Sequence, residues 1–451
     1  MNFHQAKIGT ILGLILVIVP VLTYVSEAQG CTIAVVSGKV TEDGRPLLWK
    51  NRDTDSRRNL VQVFSEGKYR LMAVIDAGHP ETIWMGMNDQ GLCIVNSLSL
   101  DLPGGNRVGR GNGRFMKLAL ENCANVLEFE KLLVETNQNG RRTRANFGVI
   151  DSQGAAALFE VGHRKFVKFD ANDAETHPDG FVVRSNFSMT ATGGKHQEKS
   201  EELLKVYSGR RYLRANGMVG SYLKQTGRLD YRFFLQNLSR DISDAIDGPI
   251  CCFSESRAGE DAPAGSRLFP TPRIDTRSTI NRRNTVSAVV FHGVKPGNTP
   301  RWTTMWTLLG EPAFSVAVPC WMTNSHLPEV LQDPDHNSLC EAAWQVRELN
   351  YESANVLSTR WLGCVWAETL PLENRIFLET KTRIETWRKQ DRLPNPEEID
   401  RFQESLAESA LKSLLKLKVR IDNEPAMAEK PNAARFVAAN SPTADPAMTG
   451  E

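Results

Sequence analysis

The sequence predicts a layered α+β fold built on mostly antiparallel sheets, and three observations carry that prediction. Short apolar runs bounded by turn residues recur along the first two thirds of the chain. Their connections read as hairpins rather than long crossovers, and helical spacing of apolar residues is confined to separate blocks. Thr32–Val36 and Pro46–Lys50 read as strands joined through Thr41-Glu-Asp-Gly44, since Asp-Gly between apolar runs is a strong hairpin signal. Strands are expected again at Leu60–Phe64, Tyr69–Ile75, Thr82–Met87 and Leu92–Leu98. The stretch 101–114 is rich in Gly and Arg and reads as a surface loop, followed by helices over Phe115–Cys123 and Val126–Glu135.

Strands return at Asn146–Asp151, Ala155–Val161, Lys165–Phe169 and Phe181–Ser185, and helices are expected over Glu201–Arg214 and Tyr231–Leu238. Cys252–Asn284 is a long polar stretch of the kind that often borders a binding site. Strands follow at Thr285–His292, Thr303–Leu309 and Phe314–Val318, then helices over Ser338–Asn350 and Glu368–Lys418 with a break at Pro394-Asn-Pro396. The Pro- and Ala-rich end, 421–451, is expected to be a disordered tail.

With 451 residues, 41% hydrophobic and a net charge of +1, the chain can bury a large core but carries no excess charge to attract nucleic acid or anionic lipid. At the N-terminus, Lys7 precedes the apolar run Ile8–Val25 and then Ser26-Glu-Ala-Gln-Gly30, which supplies small residues at Ala28 and Gly30. A basic start, an apolar stretch and a small-x-small site predict a signal peptide over 1–30 and a secreted or periplasmic protein. Left uncleaved, the same run would anchor the chain in a membrane. Acylation of Cys31 is disfavoured, because Ala28 stands where a lipoprotein signal has a large aliphatic residue. Cleavage after Gly30 would make Cys31 the first residue, placing an α-amine of reference pKa about 7.7–8.0 beside a thiol of about 8.5. Eight cysteines (31, 93, 123, 251, 252, 320, 340, 364) permit disulfides outside the cytoplasm, and adjacent Cys251-Cys252 are not expected to pair with each other.

Several short motifs share one resemblance. Cys31-Thr32, the Asp43-Gly44 turn, Lys50-Asn-Arg-Asp53, Gly86-Met-Asn-Asp-Gln-Gly-Leu92, Arg184-Ser-Asn186 and Ser208-Gly-Arg-Arg-Tyr-Leu-Arg214 resemble the N-terminal-nucleophile hydrolases of linear amides. That group includes choloylglycine hydrolases, penicillin V acylases, acid ceramidase and acyl-CoA:6-aminopenicillanate acyltransferases. Thr285–Phe291 and Gly310–Pro319 resemble later strands of the acyltransferase-like branch. The resemblance runs over about residues 31–320 and implies a four-layer αββα sandwich of two mostly antiparallel sheets. It also implies a catalytic domain over 31–420, with the C-terminal helices included.

What it implies for chemistry attaches residue by residue. Cys31 would be the nucleophile, its thiolate attacking an amide carbonyl while the α-amine shuttles the proton. Asp53 resembles the aspartate that holds the α-amine, with Asp55 as rival. Three residues earlier the hydrolases carry arginine where this chain has Lys50. A lysine offers the thiolate a point charge without the guanidinium fork. Arg52 could compensate, although strand alternation sends it to the face opposite Asp53. Asn186 and Asn88 match the oxyanion donors, side chain and backbone N–H respectively, and Arg211 matches a distal arginine, with Arg210 and Arg214 as rivals. Read without the motifs, both asparagines are turn formers and the arginine an exposed helix residue. Asn186-Phe-Ser188 is also a glycosylation sequon.

Other chemistries find little footing. There is no His-Glu-x-x-His, Cys-x-x-Cys or Gly-x-Ser-x-Gly, and Gly194-Lys195 is followed by His196 rather than a P-loop hydroxyl. No cofactor or metal is implied. Trp302, Trp306, Phe314 and Trp321 could line an acyl pocket or equally pack a core, and His292 and His326 read as core or surface residues. The expected activity is an exported cysteine amidase acting on a small N-acyl amide. An acyltransferase using the same acyl-enzyme and a non-catalytic binding domain on the same fold are the alternatives. The expected partner is that small molecule, not nucleic acid or, after signal removal, a membrane; a homo-oligomer is compatible with these properties.

Overall fold

In the computed structural model of the chain, residues 30–105, 109–191, 200–243, 246, 272–322, 326–333, 338–389 and 394–423 are described. The stretch expected to be a signal peptide, Cys251-Cys252, Gly194–His196 and the residues beyond Asn423 lie outside them.

The first sheet starts with β1 (Cys31–Val36) and β2 (Leu47–Asp53), an antiparallel hairpin pairing Cys31 with Arg52 and Val36 with Leu47. The turn between them contains Gly44 at φ 73°, a left-handed conformation that suits glycine. The chain then lays down the second sheet as a meander: β3 (Asn59–Phe64), β4 (Leu71–Asp76), β5 (Met85–Asn88), β6 (Cys93–Leu98), β7 (Ala145–Ile150), β8 (Ala156–Val161) and β9 (Phe166–Asp170). Helices α1 (Asn112–Asn122) and α2 (Val126–Asn139) interrupt it between β6 and β7. β10 (Phe181–Arg184) returns to the first sheet beside β1.

After α3 (Ser200–Leu203) and α4 (Gly209–Thr226), a π-helical stretch at Phe233–Leu238 leads to β11 (Arg273–Asp275). β12 (Thr285–His292), β13 (Thr304–Leu309) and β14 (Val318–Cys320) complete the first sheet in the order β10-β1-β2-β12-β13-β14. Then come α5 (Glu329–Gln332), α6 (Leu339–Glu348), the short strands β15 (Tyr351–Ser353) and β16 (Val356–Ser358), and the 28-residue helices α7 (Leu362–Lys389) and α8 (Pro396–Asn423). β11, β15 and β16 form a small third sheet.

Strand alternation explains the layering. Val61, Met72, Val74, Met85, Val95 and Leu158 of the second sheet face the first, in one cluster with Ile33, Val35 and Leu48. Their neighbours Ala73, Ile75, Ile94, Phe147 and Phe159 face outward and pack on Phe115, Leu120, Phe129 and Leu133 of α1 and α2. At Gly148 on β7 the sheets approach closely, since a Cβ there would press on Leu48 and Val35. Beyond the first sheet, Trp49 meets Phe234 at 6.2 Å, and α6, α7 and α8 close the last layer. The result is the expected four-layer αββα sandwich.

Three local expectations change. The helix expected over 201–214 is two helices, α3 ending at Leu203 and α4 starting at Gly209, and the chain doubles back between them so closely that Gly209 has no room for a Cβ against the Leu203 carbonyl. Phe314–Val318 is not a strand: Pro312–Phe314 turns as a 3-10 helix, and the strand begins at Val318. Residues 421–423, expected in the tail, belong to α8, where Ile421 is buried.

Candidate active site

Cys31 opens β1 at one end of the sandwich, on the strand face that also carries Ile33 and Val35, and is 9% exposed. Its backbone nitrogen donates to Asn186 Oδ1 at 2.7 Å. Arg211, near the start of α4, binds three atoms around it: Cys31 O at 3.0 Å, Thr32 Oγ1 at 2.9 Å and Asn186 Oδ1 at 2.8 Å. Two donors converging on Oδ1 fix the orientation of the Asn186 amide, whose Nδ2 then donates to Leu98 O at 2.9 Å. Burial, with Arg282 adding to it, pulls the Arg211 guanidinium down to about 10.

Asp53 sits at the end of β2, where its N–H donates to Gly30 O at 2.7 Å. Its carboxylate accepts from Arg282 Nε at 2.8 Å and Thr285 Oγ1 at 2.8 Å, and lies 3.7 Å from Arg211 Nη1. A Cβ built on Gly30 would stand 3.0 Å from both Asp53 Oδ2 and Arg211 Nη2, so the residue before Cys31 occupies the seat these groups surround. Rival Asp55 is exposed.

Lys50 reaches across to the second sheet, donating to Trp84 O and Asn96 Oδ1, each at 2.8 Å. Burial pulls its ammonium down to about 8, opposed by the sulfur of Cys31. Arg52 faces the same way, as alternation requires, but its fork is committed to Asp76 at 2.8 and 2.9 Å and to Asn59 at 2.8 Å. It therefore ties the two sheets together.

Of the arginines in the Ser208–Arg214 motif, Arg211 reaches Cys31, Arg214 is paired with Asp241 at 2.7 Å, and Arg210 is exposed. Asn88 is not brought to the cluster. Its backbone N–H, expected to face an oxyanion, donates to Leu92 O at 2.9 Å, and its Nδ2 holds the carbonyls of Leu120 and Cys123 at the end of α1. Asn88 is a turn and helix-end fastener. Sequence reasoning missed Arg282, whose signal was its place at the end of the polar stretch 252–284. The sequon at Asn186 is closed in the folded chain, with Asn186 9% and Ser188 0% exposed.

The six cysteines among the described residues are free thiols. Burial pushes Cys93 well above its ordinary value, Cys123 and Cys320 up to about 12 and Cys340 to about 11. Cys31 lies beside two buried cations, Lys50 and Arg211. The tryptophans weighed for an acyl pocket pack elsewhere. Trp306 stacks on Tyr231 at 5.1 Å, Trp321 on Phe402 at 6.1 Å and Trp302 on Trp387 at 6.0 Å, while Phe314 is fully buried. Trp302 also lines a cavity of about 270 Å³ with Met87, Met322 and Ile399 at the far end of the strands from Cys31. His292 is a core residue stacked on Tyr231 at 4.8 Å, and burial pulls its imidazole down to about 4. Among the described residues no group of three or more His, Cys, Asp or Glu side chains could hold a metal ion, and no helix is long and apolar enough to cross a membrane.

The cluster of Cys31, Asp53, Asn186 and Arg211 is built from segments far apart in sequence, in the order the motifs suggested. Residues 40–208 match the family of acyl-coenzyme A:6-aminopenicillanic acid acyl-transferases. This acyl-transferase family lies within the N-terminal-nucleophile, linear-amide group that the motifs resemble. The matched segment holds Lys50, Asp53 and Asn186; Cys31 precedes it and Arg211 follows it. Among solved structures, the chain is similar to the conjugated bile acid hydrolase of Clostridium perfringens, at 12% identity and TM-score 0.40, over 66% of this chain and 93% of that one. It is also similar to penicillin V acylase from Agrobacterium tumefaciens, at 13% identity and TM-score 0.35, over 65% and 86%. For the N-acylethanolamine-hydrolyzing acid amidase ortholog of Caenorhabditis elegans the figures are 14%, 0.35, 62% and 100%. The comparison with curated proteins found no match.

Proposed function

We propose that this chain is an exported cysteine amidohydrolase that cleaves a linear N-acyl amide through an acyl-enzyme on Cys31. The observation that carries the reading is the convergence on one residue. Asn186 and Arg211 meet at the nitrogen and carbonyl of Cys31, and Asp53 lines the seat that Gly30 fills. Removal of the segment up to Gly30 would vacate that seat and turn the Cys31 nitrogen beside it into an α-amine. Asp53 would then orient it, and the thiolate, with Lys50 behind it, would attack the substrate carbonyl. The α-amine would deliver the proton to the leaving nitrogen, and the second N–H of Asn186 Nδ2 would face the developing oxyanion. Water would release the acid.

The test is N-terminal sequencing of the secreted protein with iodoacetamide labelling of the wild type and Cys31→Ala. A mature chain beginning at Cys31, with fast labelling confined to that residue, is the expected result; a chain beginning elsewhere ends the reading. The acyl-transferase match favours a second version of the same chemistry, in which an amine rather than water takes the acyl group from Cys31. Product analysis with and without an added amine acceptor separates the two.

A further inference from the structure

Ser208 is the single non-glycine residue with positive φ among the described residues, at φ 66° and ψ 4°. An L-residue is disfavoured there because its Cβ crowds the following carbonyl, whereas glycine takes the conformation freely. What serine offers in place of glycine is its hydroxyl. The usual task of a serine hydroxyl in this position is to cap the helix, and Ser208 makes no side-chain cap bond to α4. Its Oγ instead accepts the Asn186 N–H at 2.8 Å and pairs with Ser185 Oγ at 2.9 Å, while Ser208 O accepts from Ser185 Oγ at 3.0 Å. The next residue starts α4, and Arg211 follows two further on, so Ser208 joins the two segments that meet at Cys31.

We propose that Ser208 is a positioning residue, whose strained backbone holds its hydroxyl where it fixes the Asn186 main chain, and with it the side-chain amide, against Cys31. Strain of this kind persists only where surrounding structure enforces it. Here Gly209, packed against the Leu203 carbonyl, and the paired Ser185 supply the enforcement. The inference rests on the reading of Cys31 as nucleophile.

The experiment compares Ser208→Gly with Ser208→Ala in the purified secreted protein, using two probes of Cys31. Acylation by p-nitrophenyl hexanoate passes through an oxyanion: a bond forms between sulfur and the carbonyl carbon, the ester C–O bond breaks, and p-nitrophenolate leaves with the electron pair. Alkylation by iodoacetamide, in which sulfur displaces iodide from a saturated carbon, has no oxyanion. Both variants lose the hydroxyl, but glycine relieves the backbone and alanine does not. Acylation is expected to fall about tenfold or more in both, with alkylation held within about twofold. Thermal midpoints should separate the variants, Ser208→Gly at or above the wild type and Ser208→Ala below it. If acylation instead follows the midpoints, intact in glycine and reduced in alanine, Ser208 is structural and the proposal falls. It falls too if alkylation drops as far as acylation. A wild type not acylated at Cys31, or a Cys31→Ala protein acylated as fast, removes the nucleophile reading itself and this inference with it.

Discussion

Lys50 gives the site its own pH signature. Burial lowers its ammonium from the ordinary 10.5 to about 8, with the Cys31 sulfur pulling the other way. Below about 8 it is a cation behind the Cys31 sulfur, and above that it is neutral. The unfolded chain keeps this proton up to its ordinary value, so the cost of burying the charge is present in full below about 8 and is relieved as pH rises toward 10.5. A shift of this size corresponds to roughly 3 kcal/mol. Wild-type stability in urea should therefore gain more between these two pH values than that of Lys50→Met, by an amount of that order. The same titration should make ester acylation of Cys31 level off or fall above about 8. Lys50→Arg keeps its charge and should carry the plateau to higher pH. Identical profiles for the wild type and Lys50→Arg would remove Lys50 from any role at the sulfur.

At the level of elements, the turn after β10 is pinned from the opposite sheet. Glu160 on β8, 1% exposed, accepts Arg184 Nε at 2.7 Å, Met189 N at 2.8 Å, and both N and Oγ1 of Thr190, at 2.9 and 2.5 Å. One carboxylate thus fixes both ends of the segment that carries Asn186. Glu160→Gln removes the charge opposite a buried guanidinium and should cost about 3–5 kcal/mol. Urea unfolding measures this, and a change under about 1 kcal/mol would show that the turn is held by other contacts. These elements also show what the sequence makes legible. Strands were readable because apolar residues repeat at period two, and β3, β8 and β12 appear within a residue or so of their expected ends. The Cys31, Asp53, Asn186 and Arg211 positions were readable through short motifs. Glu160 and Arg282 were not, since a buried carboxylate in an apolar strand and an arginine in a polar stretch acquire partners only through tertiary pairing. Asn88 misled for the converse reason: its motif marks a real turn, but folding spends its donors on Leu92, Leu120 and Cys123.

Across the whole molecule, the acyl-transferase match ends at residue 208, yet the outer layer over the first sheet is closed by α6, α7 and α8. Phe377 of α7 meets Trp306 at 5.0 Å, and Trp387 meets Trp302 at 6.0 Å. Glu373, fully buried on α7, receives both ends of the Arg240 guanidinium, the Ala317 N–H and Gln236 Nε2. This pair fastens α7 to the turn before β14 and to the π-helical stretch. Breaking one side, as in Glu373→Gln, leaves a buried guanidinium without its countercharge and should cost about 3–5 kcal/mol. Replacing both, Glu373→Leu with Arg240→Met, removes the two charges together and should recover most of that loss, because the desolvation cost disappears with the attraction. A chain stopped after residue 361 goes further, uncovering Trp302, Trp306 and Trp321 at once. Apolar exposure on that scale should leave it aggregated. Soluble, cooperative unfolding of that truncated chain would show that residues 31–361 form a self-sufficient core, with α7 and α8 an appendage rather than part of the layer supporting the Cys31 sheet.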